Sequence, residues 1–185
     1  MEQQAEWTLS EAARLLREPQ HRLIYLCEKK VVVPDYGDAD GRGSSRRFSA
    51  RNLLEFALAL RLRHLTIPVG TMVGVVYVLR AFERTVAHQR TGFELVTALR
   101  AQAAPELRII ISDGERLYFL LGGTTAKPKL FGGIDFQRLA AGDHKRLAPQ
   151  ELRPRGDGFG GPEGSRYARL EVDVTRLAKD LPLAG

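Results

Sequence analysis

The densest chemistry in this 185-residue chain is a run of cations. The stretch "GRGSSRRFSARNL", residues 41–53, carries Arg42, Arg46, Arg47 and Arg51 among two glycines and three serines. Guanidinium groups make forked hydrogen bonds to phosphate, and small neighbours let the backbone come close. A second set stands upstream at His21, Arg22, Tyr25 and Lys29. On a helix, Arg22, Tyr25 and Lys29 fall one turn apart on one face. In a major groove, lysine reaches phosphate, tyrosine reaches phosphate or a thymine methyl, and residues of the first helical turn face base edges. A solvated turn and a solvated helix start are the plain alternatives for the two sets. The surrounding elements have to decide.

Other chemistries are poorly supplied. The arginine run lacks both the Walker spacing and the G-x-G-x-x-G spacing of nucleotide loops, and so does the second glycine-rich loop, residues 154–165. Cys27 is the only cysteine, which leaves no disulfide and no cysteine-based zinc site within these residues. It reads as a small buried hydrophobe. The histidines, at 21, 64, 88 and 144, have no metal-ligand spacing. Asp143–His144 has no nucleophile beside it, and Glu171 and Asp173 are paired carboxylates that a strand points to one face. The expectation is a chain that is not an enzyme and uses no cofactor or metal.

The net charge is +6, spread evenly over the two halves, so local clusters rather than a charged tail carry the signal. The opening "MEQQAEW" is acidic and polar, unlike a signal peptide. The longest apolar run, Val69 to Leu79, is far shorter than the ~20 residues of a membrane helix. A soluble, cytoplasmic protein without a membrane partner is expected.

The elements that must position the cations follow from caps and periodicity. Thr8 with Glu11 three residues on predicts a helix start, with Ala12, Leu15 and Leu16 as its inner stripe and Pro19 as its stop. "QHRLIYLCEKK" predicts a second helix from Gln20, with Leu23, Ile24 and Cys27 inward. Two short helices joined by about three residues suggest a helix-turn-helix. "VVVP" then leaves in extended form, and "DYGDADGRGSSRRF" is loop or hairpin tip. Ser49 caps the next helix, whose Leu53, Leu54, Phe56, Ala57, Leu60 and Leu65 mark it as core. A fourth helix is predicted over residues 71–87. Its Val69, Met72, Val76, Leu79 and Val86, with Glu83 in the one polar slot, fit a coiled-coil seam and an intramolecular core face equally well. "RTGFELVTALRAQAA" holds a further short helix.

After Pro105 the period becomes strand-like. "ELRIIISDGERLYFLL" reads as a hairpin around Asp113–Gly114, "KLF" and "RLEVDV" as further strands, and Thr175 as the cap of a last helix. The fold class is therefore α+β: an N-terminal winged helix-turn-helix domain over residues 1–80, a helical linker or dimerisation segment over 81–105, and a small β-rich C-terminal domain over 106–185.

The order helix, helix, extended segment, cationic loop, core helix is that of a winged helix-turn-helix, and here the chain resembles the MerR superfamily of bacterial regulators over about residues 7–80. "WTLSEAARLL" resembles that family's first helix, and "PQHRLIYLCEKKVVVP" its second helix and following strand, with Glu28, Val32, Val33 and Pro34 matching. "RRFSARNLLEF" resembles the wing and the entry to the third helix, and "LRHLTIPVGTMVGVV" the link between third and fourth. Tyr25 stands where the family has arginine, Leu26 and Cys27 where it has aromatics, and Val31 where it has glycine. "IIISDGERLYFLLGG" is also similar to a segment of VapB-type antitoxins that carry a MerR-like N-terminal domain.

The resemblance implies a sequence-specific transcriptional regulator on double-stranded DNA, gripping a palindromic site as a homodimer held by its fourth and fifth helices. His21, Arg22, Tyr25, Lys29, Arg42, Arg46 and Arg47 are the expected DNA-binding residues, and Arg63, carried over from the family, is an expected backbone contact. The alternative is an antitoxin or adaptor whose residues 106–185 bind a partner protein.

Overall fold

The computed structural model describes residues 6–36, 46–89, 93–122, 128–143 and 168–183. Helix α1 (Leu9–Leu16) starts as its sequence dictates: the Thr8 hydroxyl accepts from the Glu11 N–H, and the Glu11 carboxylate accepts from the Thr8 N–H at 2.7 Å. It ends before Pro19 is reached, because Arg17 turns left-handed at φ 55° and the Glu18 N–H closes back onto the Ala13 carbonyl. Helix α2 (Gln20–Glu28) follows directly after Pro19. Its inner face is Leu23 and Leu26, both fully buried. Ile24 points outward instead, which corrects the inward placement that hydrophobicity alone suggests. The chain leaves α2 through Lys30, at φ 56°, and Val31 is buried. The left-handed turn that a glycine at position 31 would favour is thus taken one residue earlier, by Lys30.

Next comes a small β arrangement. Tyr36 and Arg47 exchange backbone hydrogen bonds of 3.3 and 3.1 Å, and Phe48 does the same with Trp7 at 3.0 and 2.8 Å. Phe48 is fully buried, its ring 5.3 Å from that of Phe56. The segment joining Tyr36 to Arg46, with Arg42, lies outside the described residues. Helix α3 (Ala50–His64) is capped by Ser49, whose hydroxyl accepts from the Asn52 N–H. Helix α4 (Val69–Gln89) begins after Pro68 and runs unbroken across residue 80. Met72, Val76, Leu79 and Val86 are buried within the chain, as are Val75, Val78 and Phe82 on either side of them. The seam-like spacing is thus a core face of this chain. Helix α5 (Leu95–Arg100) also buries its apolar residues, Leu95, Val96 and Leu99.

The second half is a four-stranded antiparallel sheet in the order β3-β2-β1-β4. Strands β1 (Glu106–Ser112) and β2 (Arg116–Gly122) form the hairpin expected around Asp113–Gly114, both of which have positive φ. Strand β3 (Lys129–Asp135) pairs with β2 and leads into α6 (Phe136–Ala140), and β4 (Arg169–Asp173) pairs with β1 and leads into α7 (Val174–Lys179). Asp173, not Thr175, caps α7, by accepting from the Arg176 N–H. The Thr175 hydroxyl instead donates to the Pro105 carbonyl and accepts from the Leu107 N–H, tying α7 to the start of β1.

Helices and sheet share one core. The Phe82 ring of α4 stacks on Phe119 of β2, centroids 4.7 Å apart, and meets Phe131 of β3 edge-on at 5.2 Å. Gly74 of α4 takes α6 at close quarters: a Cβ there would lie 2.9 Å from the Leu139 Cβ and 3.2 Å from the Leu139 carbonyl oxygen. Alanine at a free helical position is worth about 1 kcal/mol over glycine. Here overpacking dominates, and Gly74→Ala is expected to cost about 1–3 kcal/mol net, measured as a lower denaturation midpoint in urea.

Candidate nucleic-acid interface

Helix α2 presents one polar face outward. Gln20, His21, Arg22, Ile24, Glu28 and Lys29 are exposed along it. Tyr25 lies at its flank, half-buried, and gathers two cations around its ring. The Lys29 Nζ sits 5.8 Å from the ring centroid, and the Arg63 guanidinium, arriving from α3, sits at 4.8 Å. Both distances are within the range of cation–π attraction, so the ring holds two positive groups beside each other at the surface. Among the described residues, neither Lys29 nor Arg63 is paired with a carboxylate.

The start of the segment entering α3 supplies two more cations. Arg46 is exposed and lies within electrostatic reach of α2: burial pushes the Cys27 thiol up to about 11, and the charge of Arg46 works against that rise. Arg47 is half-buried, its backbone paired to Tyr36 and its charge helping Thr8 hold the Glu11 carboxyl below its ordinary value. Arg22 is placed less favourably. Its guanidinium is turned back along the helix onto Glu18 at 2.8 Å. Of the sequence-predicted site residues, Tyr25, Lys29 and Arg63 are brought together, Arg46 lies within electrostatic reach of Cys27 elsewhere on α2, and His21 stands exposed at the helix start. Arg47 sits on the bridge to Tyr36, Arg22 is partly withdrawn, and Arg42 is outside the described residues.

Arg51, the fourth arginine of the run, belongs to a different structure. Its guanidinium meets Asp35 at 3.0 Å and Glu83 at 3.4 Å. The same network takes in Arg80, which grips both carboxylate oxygens of the buried Glu55 and donates to the Val33 carbonyl at 2.9 Å. Asn52, fully buried, donates to Glu55 and Val33 and accepts from the Asp35 and Ser49 N–H groups. Glu83 accepts from the Leu95 N–H. Burial alone would raise the Asp35 carboxyl, but hydrogen bonds from Arg51 and Ser49, with the charges of Arg51 and Arg80, bring it below its ordinary value. For Glu55 burial wins and the carboxyl is raised, against the pull of Arg80 and Asn52. These groups fix the extended segment 33–35 onto α3 and α4. The sequence carries one trace of them: charged residues at buried helical positions, Glu55 among leucines and alanines and Arg80 among valines and leucines.

The other acidic pair is similarly spent. Glu171 pairs with Arg108 at 2.9 Å and Arg169 at 3.0 Å, and Asp173 caps α7. No cluster of His, Cys, Asp or Glu among the described residues is arranged to hold a metal ion. No helix among them is long and apolar enough to cross a membrane. No family model matches the chain, and no curated protein sequence matches it.

Proposed function

We propose that the chain is a sequence-specific DNA-binding protein of winged helix-turn-helix type, acting as a transcriptional regulator. Helix α2 enters the major groove, and the wing, ending at Arg46, lies against flanking phosphates. The observation that carries this reading is the meeting of Lys29 and Arg63 at the Tyr25 ring, with exposed Arg46 also within electrostatic reach of α2, none of them neutralised by a described carboxylate. Uncompensated cations held at fixed positions beside an exposed helix face suit a polyanion. The MerR-like order of elements supports the same reading. Two copies on a palindromic site would meet through surfaces other than the apolar sides of α4 and α5, which are buried within the chain.

The test is binding to duplex DNA as a function of salt. Each cation that neutralises a phosphate contributes about −0.9 to the slope of log affinity against log salt. Lys29→Ala and Arg46→Ala are each expected to flatten that slope by about one unit. Arg51→Ala should leave it unchanged, because the Arg51 charge is already matched by Asp35 and Glu83. Fluorescence anisotropy of a labelled duplex between about 50 and 200 mM salt, where such contacts are felt, reads all three.

A second reading is an antitoxin-like adaptor that binds a protein. The surface expected for it is residues 106–185, but the groove of about 520 Å³ that favours a partner lies between α1, α3 and α7, and those residues give it only α7 and the chain just beyond. Leu15, Leu16, Ala57, Leu60 and Leu177 line it, with Arg17, Arg61 and His64 among its polar residues. A salt slope near zero, with wild-type and variant proteins alike, would transfer the weight to this groove.

A further inference from the structure

We infer that α2 recognises its DNA site partly through a thymine methyl group, and that Ile24 is the side chain that reads it. This rests on the DNA-binding reading above and adds a chemical preference to it. Ile24 is 37% exposed on the outward face of α2. The residues one turn away on that face, Gln20, His21 and Glu28, are polar and exposed, whereas its neighbour Leu23 and the next apolar residue, Leu26, are fully buried. Ile24 is therefore a single apolar side chain in a polar helix face flanked by the cations around Tyr25.

Isolated exposed apolar residues are ordinary on protein surfaces, so exposure alone carries nothing. The setting does. A protein partner buries contiguous apolar area, and this face offers none beyond one side chain. A major groove offers the reverse: single thymine methyl groups set among hydrogen-bonding base edges. Arginine makes the commonest specific contact to guanine, and Arg22 remains available for one, since its exposed pairing with Glu18 at 2.8 Å is weak in water. Ile24 adds the methyl contact that a guanidinium does not make. Ile24 then stands between His21 and Glu28 as the apolar part of what the helix can extend. The Glu28 carboxylate is an acceptor, matched to the cytosine amino group and mismatched to the two acceptors of guanine. The helix face thus favours a pyrimidine-containing strand with thymine opposite Ile24.

The experiment uses the full-length protein and sites selected from a random duplex library. Each thymine of the selected site is replaced singly by deoxyuridine, which lacks only the C5 methyl, and affinity is measured at fixed salt. One thymine is expected to lose about fourfold in affinity on replacement, the worth of one buried methyl. Ile24→Ala is expected to bind the thymine and uracil duplexes equally at that position while keeping the wild-type salt slope. The inference is overturned if no thymine is sensitive, or if the sensitivity persists in Ile24→Ala. Failure to select any site, with no duplex binding, sinks the DNA-binding reading and this inference together. A selected site with methyl-insensitive thymines sinks this inference alone.

Discussion

Replacing Arg80 with methionine will lower the stability of the fold by about 3 kcal/mol, the lower end of what breaking a buried ion pair costs. The reason is Glu55. Its side chain is 1% exposed, and its opposing charge comes from Arg80, which is itself 22% exposed. Methionine fills the stem's volume but leaves the carboxylate facing Asn52 alone. The carbonyl of Val33 also loses a donor. A double variant, Glu55→Leu with Arg80→Met, should recover most of the loss, because an apolar pair of similar volume has no buried charge to satisfy. Urea midpoints of the two single variants, the double and the wild type make the cycle. A loss in the double variant equal to the sum of the two single losses would mean that the pair is not coupled.

The pH dependence of the same variant has a definite sign. Burial already raises the Glu55 carboxyl in the wild type, and removing Arg80 takes away the largest influence that lowers it. The folded variant then binds this proton more tightly than the unfolded chain does. Its stability therefore falls as pH rises from the ordinary glutamate range through the raised folded value. The deficit against wild type should be small in mild acid and grow towards neutral pH. Asp35 works the other way, since its carboxyl is lowered in the fold. Its contribution is present above the ordinary aspartate range and is lost as pH falls through the depressed value. Asp35→Asn should accordingly narrow its gap to wild type in strong acid, where Arg80→Met should do so already in mild acid.

This network also marks where sequence reading stops. Thr8 with Glu11, and Ser49 ahead of α3, are legible because a cap depends on residues three apart in the chain. The Asp113–Gly114 hairpin is legible for the same local reason. Arg51 is not, because its partners Asp35 and Glu83 come from other elements, 16 and 32 residues away. By type and setting it is a phosphate-binding arginine, and only the fold shows that its charge is taken. Ile24 and the α4 stripe escape for a related reason. Periodicity says that a face is apolar, not what covers it: α4 is packed on both sides by its own chain, while α2 is too short and too peripheral to bury a third large residue. Tyr25, Lys29 and Arg63 are legible as residue types, and their meeting around one ring is not, since it depends on how α3 crosses α2.

Cutting the chain after Pro105 is expected to abolish folding altogether, although the cut falls where the period changes from helical to strand-like. The fragment keeps every candidate DNA-binding residue. It loses Phe119 and Phe131, on which the fully buried Phe82 of α4 rests, and Leu139, against which Gly74 packs. It also loses the Leu181 and Leu183 carbonyls, which accept from the Arg100 guanidinium at 2.6 and 2.7 Å. Truncating a buried phenylalanine by itself costs about 3–5 kcal/mol. Against a total stability of about 5–15 kcal/mol, losing the sheet and its aromatic contacts with α4 leaves too little to hold the helices together. Phe82→Ala in the full chain separates the two roles of the second half. It should lower stability by that same amount yet bind duplex DNA with wild-type affinity below its melting temperature, because Phe82 is fully buried and its ring packs on Phe119 and Phe131, whereas the cations gather on Tyr25. Fragment 1–105 should show neither a cooperative transition nor the salt-dependent binding. A fragment that unfolds cooperatively and still binds would show that the helical half stands without the sheet, and that the shared aromatic core is an attachment rather than a condition of the fold.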